Sequence, residues 1–367
     1  MSNIYYSYND ISIVPAAITR VAHRNQCNPF VGEGTNSSLP IFTAPMSSIV
    51  NLQNVDIYKK NKIIPILPRN ISLSLRLKYL DKGYWIALSL KETEELSLDK
   101  LKDNQEYKIC IDIANGHMQK LYDLVHSIHI SKPNIKIMAG NIANPETIKY
   151  AINAGVDYIR IGIGTGAGCI TSSNTAVHYP IASLIKECIK IRNEWTYTNT
   201  TKKSNLKIIA DGGIRNYNDV IKALALGADY VMIGSVFASC MESNKQIWID
   251  AEPYGEEGYT APNPDNGLIM RLKDDWKHGT NITPLFHEFH GMASKQGQRD
   301  ITGTKFHTAE GISKFIEITT TIPQWSENMT DYLRSAMSYC DSLTLDEFRN
   351  KAKIIIISNN TYNSVNK

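Results

Sequence analysis

The chain has no Cys-x-x-Cys pair, no run of one charge sign and no long apolar stretch, and each absence removes a class of protein. Its six cysteines, at 27, 110, 169, 188, 240 and 340, stand far apart, so neither a zinc site nor a disulfide framework is signalled. Lys and Arg number 39 against 36 Asp and Glu, well interspersed. No basic face for nucleic acid or a membrane surface is expected. No apolar run reaches the ~18 residues that a membrane helix needs. The opening, MSNIYYSYNDISIVP, has neither the basic start nor the apolar core of a signal peptide. These features predict a soluble, cytoplasmic protein whose cysteines stay free thiols.

What is present is an internal repeat. Ile137 to Gly164 reads IMAGNIANPETIKYAINAGVDYIRIGIG, and Ile208 to Ser235 reads IIADGGIRNYNDVIKALALGADYVMIGS. Each copy starts as a short apolar strand, turns at glycine, runs a helix and closes on a second strand. In the first copy Asn144 is placed as N-cap with Pro145 at N1, and Gly155 ends the helix. In the second, Val220, Ile221, Leu224 and Ala228 share a helical stripe and Gly227 ends it. Strand–helix–strand units build parallel sheets. Further strand-like runs stand at Pro40–Ala44, Ile63–Leu67, Tyr84–Ser89 and Tyr107–Ile113. Their even spread favours an α/β chain closed as a single (β/α)8 barrel, although strand count alone leaves an open sheet in play. The barrel is expected over 1–357, with an insertion or flap at about 241–308 and a polar, disordered tail at 358–367.

Barrel enzymes work at the C-terminal ends of their strands. That rule selects Pro45 to Ser48, Arg69-Asn70, Asp112 to Asn115, Gly140-Asn141, Gly164 to Thr171, Asp211 to Gly213 and Gly234-Ser235. Any one of these is also what a plain turn needs; polar, glycine-rich sequence at nearly every strand end is what a site needs. Gly212, Gly213, Gly234 and Ser235 can offer backbone N–H groups to an anion such as phosphate. The stretch GIGTGAGCIT (162–171) then places one thiol straight after the most flexible backbone in the chain. Such a Cys169 is more exposed than a core cysteine, and nearby N–H dipoles favour its thiolate. Thr171, two residues on, can pass a proton.

These residues resemble the IMP dehydrogenase / GMP reductase family. The likeness rests on GIGTGAGCIT, YNDISIVP, PIFTAPMSSIV, PRN (68–70), IKIMAGNI, the second repeat and FHGMAS, in the family's order. The resemblance implies a barrel, a purine nucleotide substrate and a homotetramer. It makes Cys169 the nucleophile that adds to C2 of the purine, with Thr171 and Glu310 protonating a departing amine. It places Met46, Asp211, Gly212, Gly213, Gly234, Ser235, Met292, Ala293 and Gly311 on the nucleotide. It places Arg69, Asp112, Asn115, Gly116 and His307 on NADPH, and the carbonyls of Gly164, Gly166 and Cys169 on K+. Three features resemble the reductase branch: no long regulatory insertion, DIANGH at 112–117, and no Arg-Tyr pair between Gly291 and Glu310. The chain departs from the family at Ser47, Ala167, His307 and Ala309, and GGIR and IGS look more like the dehydrogenase. FMN-dependent barrels share the DGG and IG phosphate sites but have no use for a glycine loop ending in Cys-x-Thr. A nucleotide-binding protein without turnover is the other rival, suggested by Ser47 and Ala167.

Overall fold

The computed structural model describes residues 4–199, 205–243, 247–249, 278–279, 284–302, 308–309 and 311–365. The first strand, β1 (Ile11–Val14), lies apart and pairs antiparallel with the last, β13 (Lys353–Ile356). Eight strands between them form the barrel: β2 (Ile41–Thr43), β3 (Ile66–Leu67), β4 (Trp85–Leu88), β5 (Tyr107–Ile111), β6 (Ile135–Ile142), β7 (Tyr158–Ile161), β8 (Lys207–Asp211) and β9 (Tyr230–Ile233). All pair parallel, in the order β2-β9-β8-β7-β6-β5-β4-β3. The ring closes where Phe42 bridges Ile64, with Thr43 N donating to Ile64 O at 3.0 Å. This is the expected (β/α)8 barrel.

Helices follow the strands: Val55–Lys60, Leu73–Leu80, Leu90–Glu94, Gln119–Ser131, Thr147–Ala154, Ile181–Asn199, Tyr217–Ala225 and, after a longer excursion, Ile322–Tyr339. Two features differ from the sequence reading. The helix of the first repeat begins at Thr147, not at Pro145. Asn144 instead accepts from Glu146 N at 3.0 Å, closing a turn that leads into the helix. The polar segment past 357, expected as a disordered tail, carries a helix at Asn359–Val365.

Period-two alternation in the strands splits the core. Outward residues such as Ile109, Ile137, Ile159 and Ile208 pack under the helices. Inward residues fill the barrel: Phe42, Trp85, Tyr158 and Tyr230 meet edge-on or tilted, with ring centroids 5.1–6.0 Å apart, beside Met138 and Met232. Such rings contribute both buried area and quadrupole attraction. They plug the barrel, so a ligand can enter only above them, at the C-terminal rim. Over that rim stands a second, antiparallel sheet of β10 (Trp248–Ile249), β11 (Leu285–His290) and β12 (Ser313–Glu317). A helix, Lys295–Thr302, follows β11. Most of the expected insertion at 241–308 lies outside the described residues.

Candidate active site

The glycine loop leaves β7 and folds back across the barrel mouth. Gly164 has φ +72°, and a Cβ there would sit 2.5 Å from the Ser172 side chain. Gly212, past β8, has φ +91°, and a Cβ would sit 2.3 Å from Thr165 Oγ1. Both positions therefore exclude a side chain on two counts, backbone conformation and space. Thr165 laces the two turns together: its hydroxyl donates to Asp211 O at 2.9 Å and its carbonyl accepts from Gly213 N at 2.9 Å.

Cys169 ends this loop. Its Sγ lies 3.2 Å from Thr171 Oγ1, at the start of the short helix Thr171–Thr175. It bridges Gly311 across the mouth, where Ile312 N donates to Gly168 O at 2.9 Å. Cys169 is half-buried, whereas the other five cysteines are buried. Burial raises the thiols of Cys27, Cys110, Cys188, Cys240 and Cys340, that of Cys110 to about 12. Those five are poor nucleophiles at neutral pH, which leaves Cys169 as the thiol suited to chemistry.

The thiol faces a cavity of about 230 Å³. One wall is the glycine loop, Gly166 to Cys169. Ala44 and Met46 after β2, Asp211 at the end of β8, and Gly234 and Ser235 after β9 form the floor. Phe289, Gly291, Met292, Ala293 and Gly311 form the far side. The fold thus brings together Cys169, Gly166, Met46, Asp211, Gly234, Ser235, Met292, Ala293 and Gly311 from the expected set. Gly212 and Gly213 shape the rim without lining the cavity. Contrary to the sequence reading, the N–H of Gly213 is not free for an anion, because the left-handed turn aims it at Thr165 O. Glu310 and His307 lie outside the described residues.

A charged network underlies the floor. Arg160, near the end of β7, points into the barrel with its side chain 8% exposed. It donates to Asp112 Oδ1 at 2.7 Å and, through Nε and Nη2, to Asp211 Oδ2 at 3.0 and 2.9 Å. Asn141 Nδ2 reaches the same Asp211 oxygen at 2.7 Å, and Arg69 pairs with Asp112 at 3.4 Å. Two arginines thus face two carboxylates. One network joins Asp112 and Arg69, expected on the cofactor side, to Asp211, expected on the nucleotide side. Asn115 is exposed, and its side chain accepts from His117 N at 3.1 Å. Gly116 is buried, and its N–H is taken by Asn141 O at 2.8 Å, so it supports the segment without presenting a donor. The carbonyls of Gly164 and Gly166 each accept one internal bond, from Ser172 Oγ at 3.1 Å and Cys169 N at 3.0 Å. A carbonyl oxygen has a second lone pair to offer. Among the described residues no group of three His, Cys, Asp or Glu could hold a metal ion.

The sequence reading missed Arg160, Phe289 and a cluster around Asp300. Arg160 had a signal, a charge set inside the apolar run YIRIGIG. Ser47 Oγ donates to Asp300 Oδ2 at 2.6 Å, His290 Nε2 lies 3.0 Å from both atoms, and Gln296 Nε2 donates to Asp300 Oδ1 at 3.1 Å. Burial raises the Asp300 carboxyl, but the bonds from His290 and Ser47 outweigh it and hold the group below its ordinary value.

Comparison with known proteins identifies a family. The sequence model of the IMP dehydrogenase / GMP reductase domain matches residues 85–256. GMP reductase from Staphylococcus carnosus is 27% identical over 373 residues, covering 98% of each chain. GMP reductase from Pediococcus pentosaceus is 30% identical over 287 residues, 74% of this chain and 84% of the relative. Inosine-5'-monophosphate dehydrogenase from Chlorobaculum tepidum is 31% identical over 250 residues, 68% of this chain but 45% of the relative. Among the described residues no helix is long and apolar enough to cross a membrane.

Proposed function

The chain belongs to the IMP dehydrogenase / GMP reductase family, and from that premise we propose that it catalyses the reductive deamination of GMP to IMP with NADPH. The observation that carries this reading is the half-buried Cys169 thiol, 3.2 Å from Thr171 Oγ1 at the edge of a cavity of about 230 Å³. Three points support the reductase over the dehydrogenase branch. Relatives named GMP reductase match this chain end to end, whereas the dehydrogenase match spans 45% of that protein. DIANGH at 112–117 has the reductase pattern. No Arg-Tyr pair stands between Gly291 and Glu310 to activate a hydrolytic water.

In the proposed reaction the Cys169 thiolate adds to C2 of the guanine ring. Thr171 and Glu310 deliver the proton that lets the 2-amino group leave as ammonia, giving a thioimidate on Cys169; an amine leaves only once protonated. NADPH supplies the hydride that then reduces C2, and the thiolate departs to give IMP. Asp211, held by Arg160 and Asn141, is suited to accept from ribose hydroxyls. Gly234 and Ser235 open the short helix Ser235–Ser239 at the cavity and are suited to the phosphate. Arg69 and Asp112 would hold the cofactor; each is a charged group at the rim that a sugar hydroxyl or phosphate can engage.

The donors around the cysteine loop are carbonyls, with no carboxylate among them, which suits a weakly held monovalent cation over zinc or magnesium. K+ on Gly164, Gly166 and Cys169 is part of this proposal, as are a homotetramer, a cytoplasmic location and a flap role for 241–308. Glu310→Gln tests the reaction's direction. It keeps the shape and removes the titratable proton, so GMP consumption should fall by about 10²–10⁴. Hydride transfer from IMP to NADP+, which reaches the same Cys169 thioimidate without ammonia, needs no such proton and should be less affected. If Glu310→Gln leaves both directions equally active, the amine-protonation role is wrong.

A further inference from the structure

We infer that Asp300 is a positioning residue whose carboxylate clasps three segments and so sets the wall of the Cys169 cavity. The clasp is compact. The loop after β2 contributes Ser47, the end of β11 contributes His290, and the helix Lys295–Thr302 contributes Asp300. Ser47 Oγ and His290 Nε2 converge on one oxygen, Asp300 Oδ2, at 2.6 and 3.0 Å, and Gln296 holds the other at 3.1 Å. A second tie runs between the same two segments, where Ser48 Oγ donates to His290 O at 3.3 Å. Hydrogen bonds to an ionised acceptor are shorter and about twice as strong as neutral ones. Here an uncharged serine and an imidazole are gathered by a single carboxylate.

Its place gives the clasp its consequence. Ser47 directly follows Met46, and His290 directly precedes Gly291 and Met292; all three neighbours line the cavity. The side chain of His290 is 8% exposed, and its Nδ1 is buried with no hydrogen-bond partner among the described residues. The imidazole is therefore anchored through Nε2 alone. Removing the Asp300 carboxylate leaves Nε2 only the neutral Ser47 hydroxyl, at 3.0 Å, and so loosens the ring and the turn that carries Met292. None of Ser47, His290 and Asp300 lines the cavity itself, so the effect on the site is through position.

The test uses the whole chain and needs no substrate, so it stands apart from the reaction proposed above. Cys169 is the half-buried thiol, and the five buried cysteines report unfolding. Iodoacetamide is applied to wild type, to Asp300→Ser and to the exchange variant Ser47→Asp/Asp300→Ser, and the modified cysteines are located by peptide mass. Asp300→Ser should raise the Cys169 alkylation rate roughly tenfold, the scale of one lost charge-assisted bond. The exchange variant restores a carboxylate–hydroxyl pair in mirror order and should return the rate to within about twofold of wild type. In every case the five buried thiols should stay unmodified. An unchanged rate in Asp300→Ser overturns the proposal, as does an exchange variant that stays folded but keeps the fast rate. If Asp300→Ser exposes the buried thiols, Asp300→Asn is measured in its place. Exposure there too would make the cluster a determinant of folding and refute the positioning role.

Discussion

Arg160→Met is the perturbation that bears hardest on the barrel interior. The wild-type guanidinium is 8% exposed and meets Asp112 and Asp211, 13% and 14% exposed, at 2.7–3.0 Å. Removing one member of a buried ion set strands the others, at a cost of about 3–5 kcal/mol. Asp112 would keep Arg69 at 3.4 Å and Asp211 would keep Asn141 at 2.7 Å. Those partners place the expected loss near the low end, about 3 kcal/mol. Against a typical total of about 5–15 kcal/mol the protein should still fold. With a urea slope of about 3 kcal/mol per molar, the midpoint should fall by about 1 M. The decisive comparison is the triple variant Arg160→Met/Asp112→Asn/Asp211→Asn. It removes both stranded carboxylates and leaves only the Arg69 guanidinium, whose side chain is 23% exposed, without its ion-pair partner, so it should recover a good part of the loss despite carrying more substitutions. The assay is urea unfolding followed by circular dichroism. A midpoint unchanged by Arg160→Met, or a triple variant less stable than the single one, would mean that stranded buried carboxylates are not what the loss of Arg160 costs.

Cys169→Ala should abolish turnover by several orders of magnitude while calorimetry still finds nucleotide binding; retention of more than about a tenth of the activity would exclude a covalent path. Activity should rise when K+ replaces Na+ and should survive EDTA, since carbonyl donors suit a monovalent ion. Gly212→Ala sets a methyl against Thr165 Oγ1 at a φ of +91°, so it should cost about 1–3 kcal/mol in thermal unfolding and loosen the cysteine loop. Glu92 lies beside Arg76; burial raises its carboxyl, but the bonds from Arg76 and Ser89 outweigh this and hold it below its ordinary value. Its contribution is therefore present at neutral pH and lost as pH falls through the folded-state pKa. Glu92→Gln should lower stability by roughly 1–2 kcal/mol at pH 7 and by little in acid, read from urea midpoints across pH.

Much of this architecture was legible because parallel-barrel strands are short apolar runs bounded by glycine. The two repeats and the runs around Ile41, Ile66, Trp85 and Tyr107 fall on barrel strands. The cavity lining was legible at the same points, since a strand end with a glycine or polar residue is where a barrel meets its ligand. What did not show was which donors are already taken. Gly213 and Gly116 read as open glycines, yet their N–H groups are spent on Thr165 and Asn141, partners far off in sequence. Arg160 and Asp211 stand in β7 and β8 and Asp112 just past the end of β5, and a spacing of 48 or 51 residues has no local signature. The Ser47–His290–Asp300 cluster joins residues up to 253 positions apart, which only the closed ring and its overlying sheet bring together. Pro145 reads as a helix start, but Asn144 closes its own turn first and delays the helix to Thr147.

One spectrophotometric comparison tests the direction of the reaction. Purified protein in potassium buffer is given GMP with NADPH, and separately IMP with NAD, with absorbance followed at the nicotinamide band and products identified by chromatography. NADPH should be consumed with GMP, matched one for one by IMP and ammonia, and NAD reduction with IMP should be much slower. Ready conversion of IMP to XMP, with no NADPH consumed in the presence of GMP, would overturn the reductase reading.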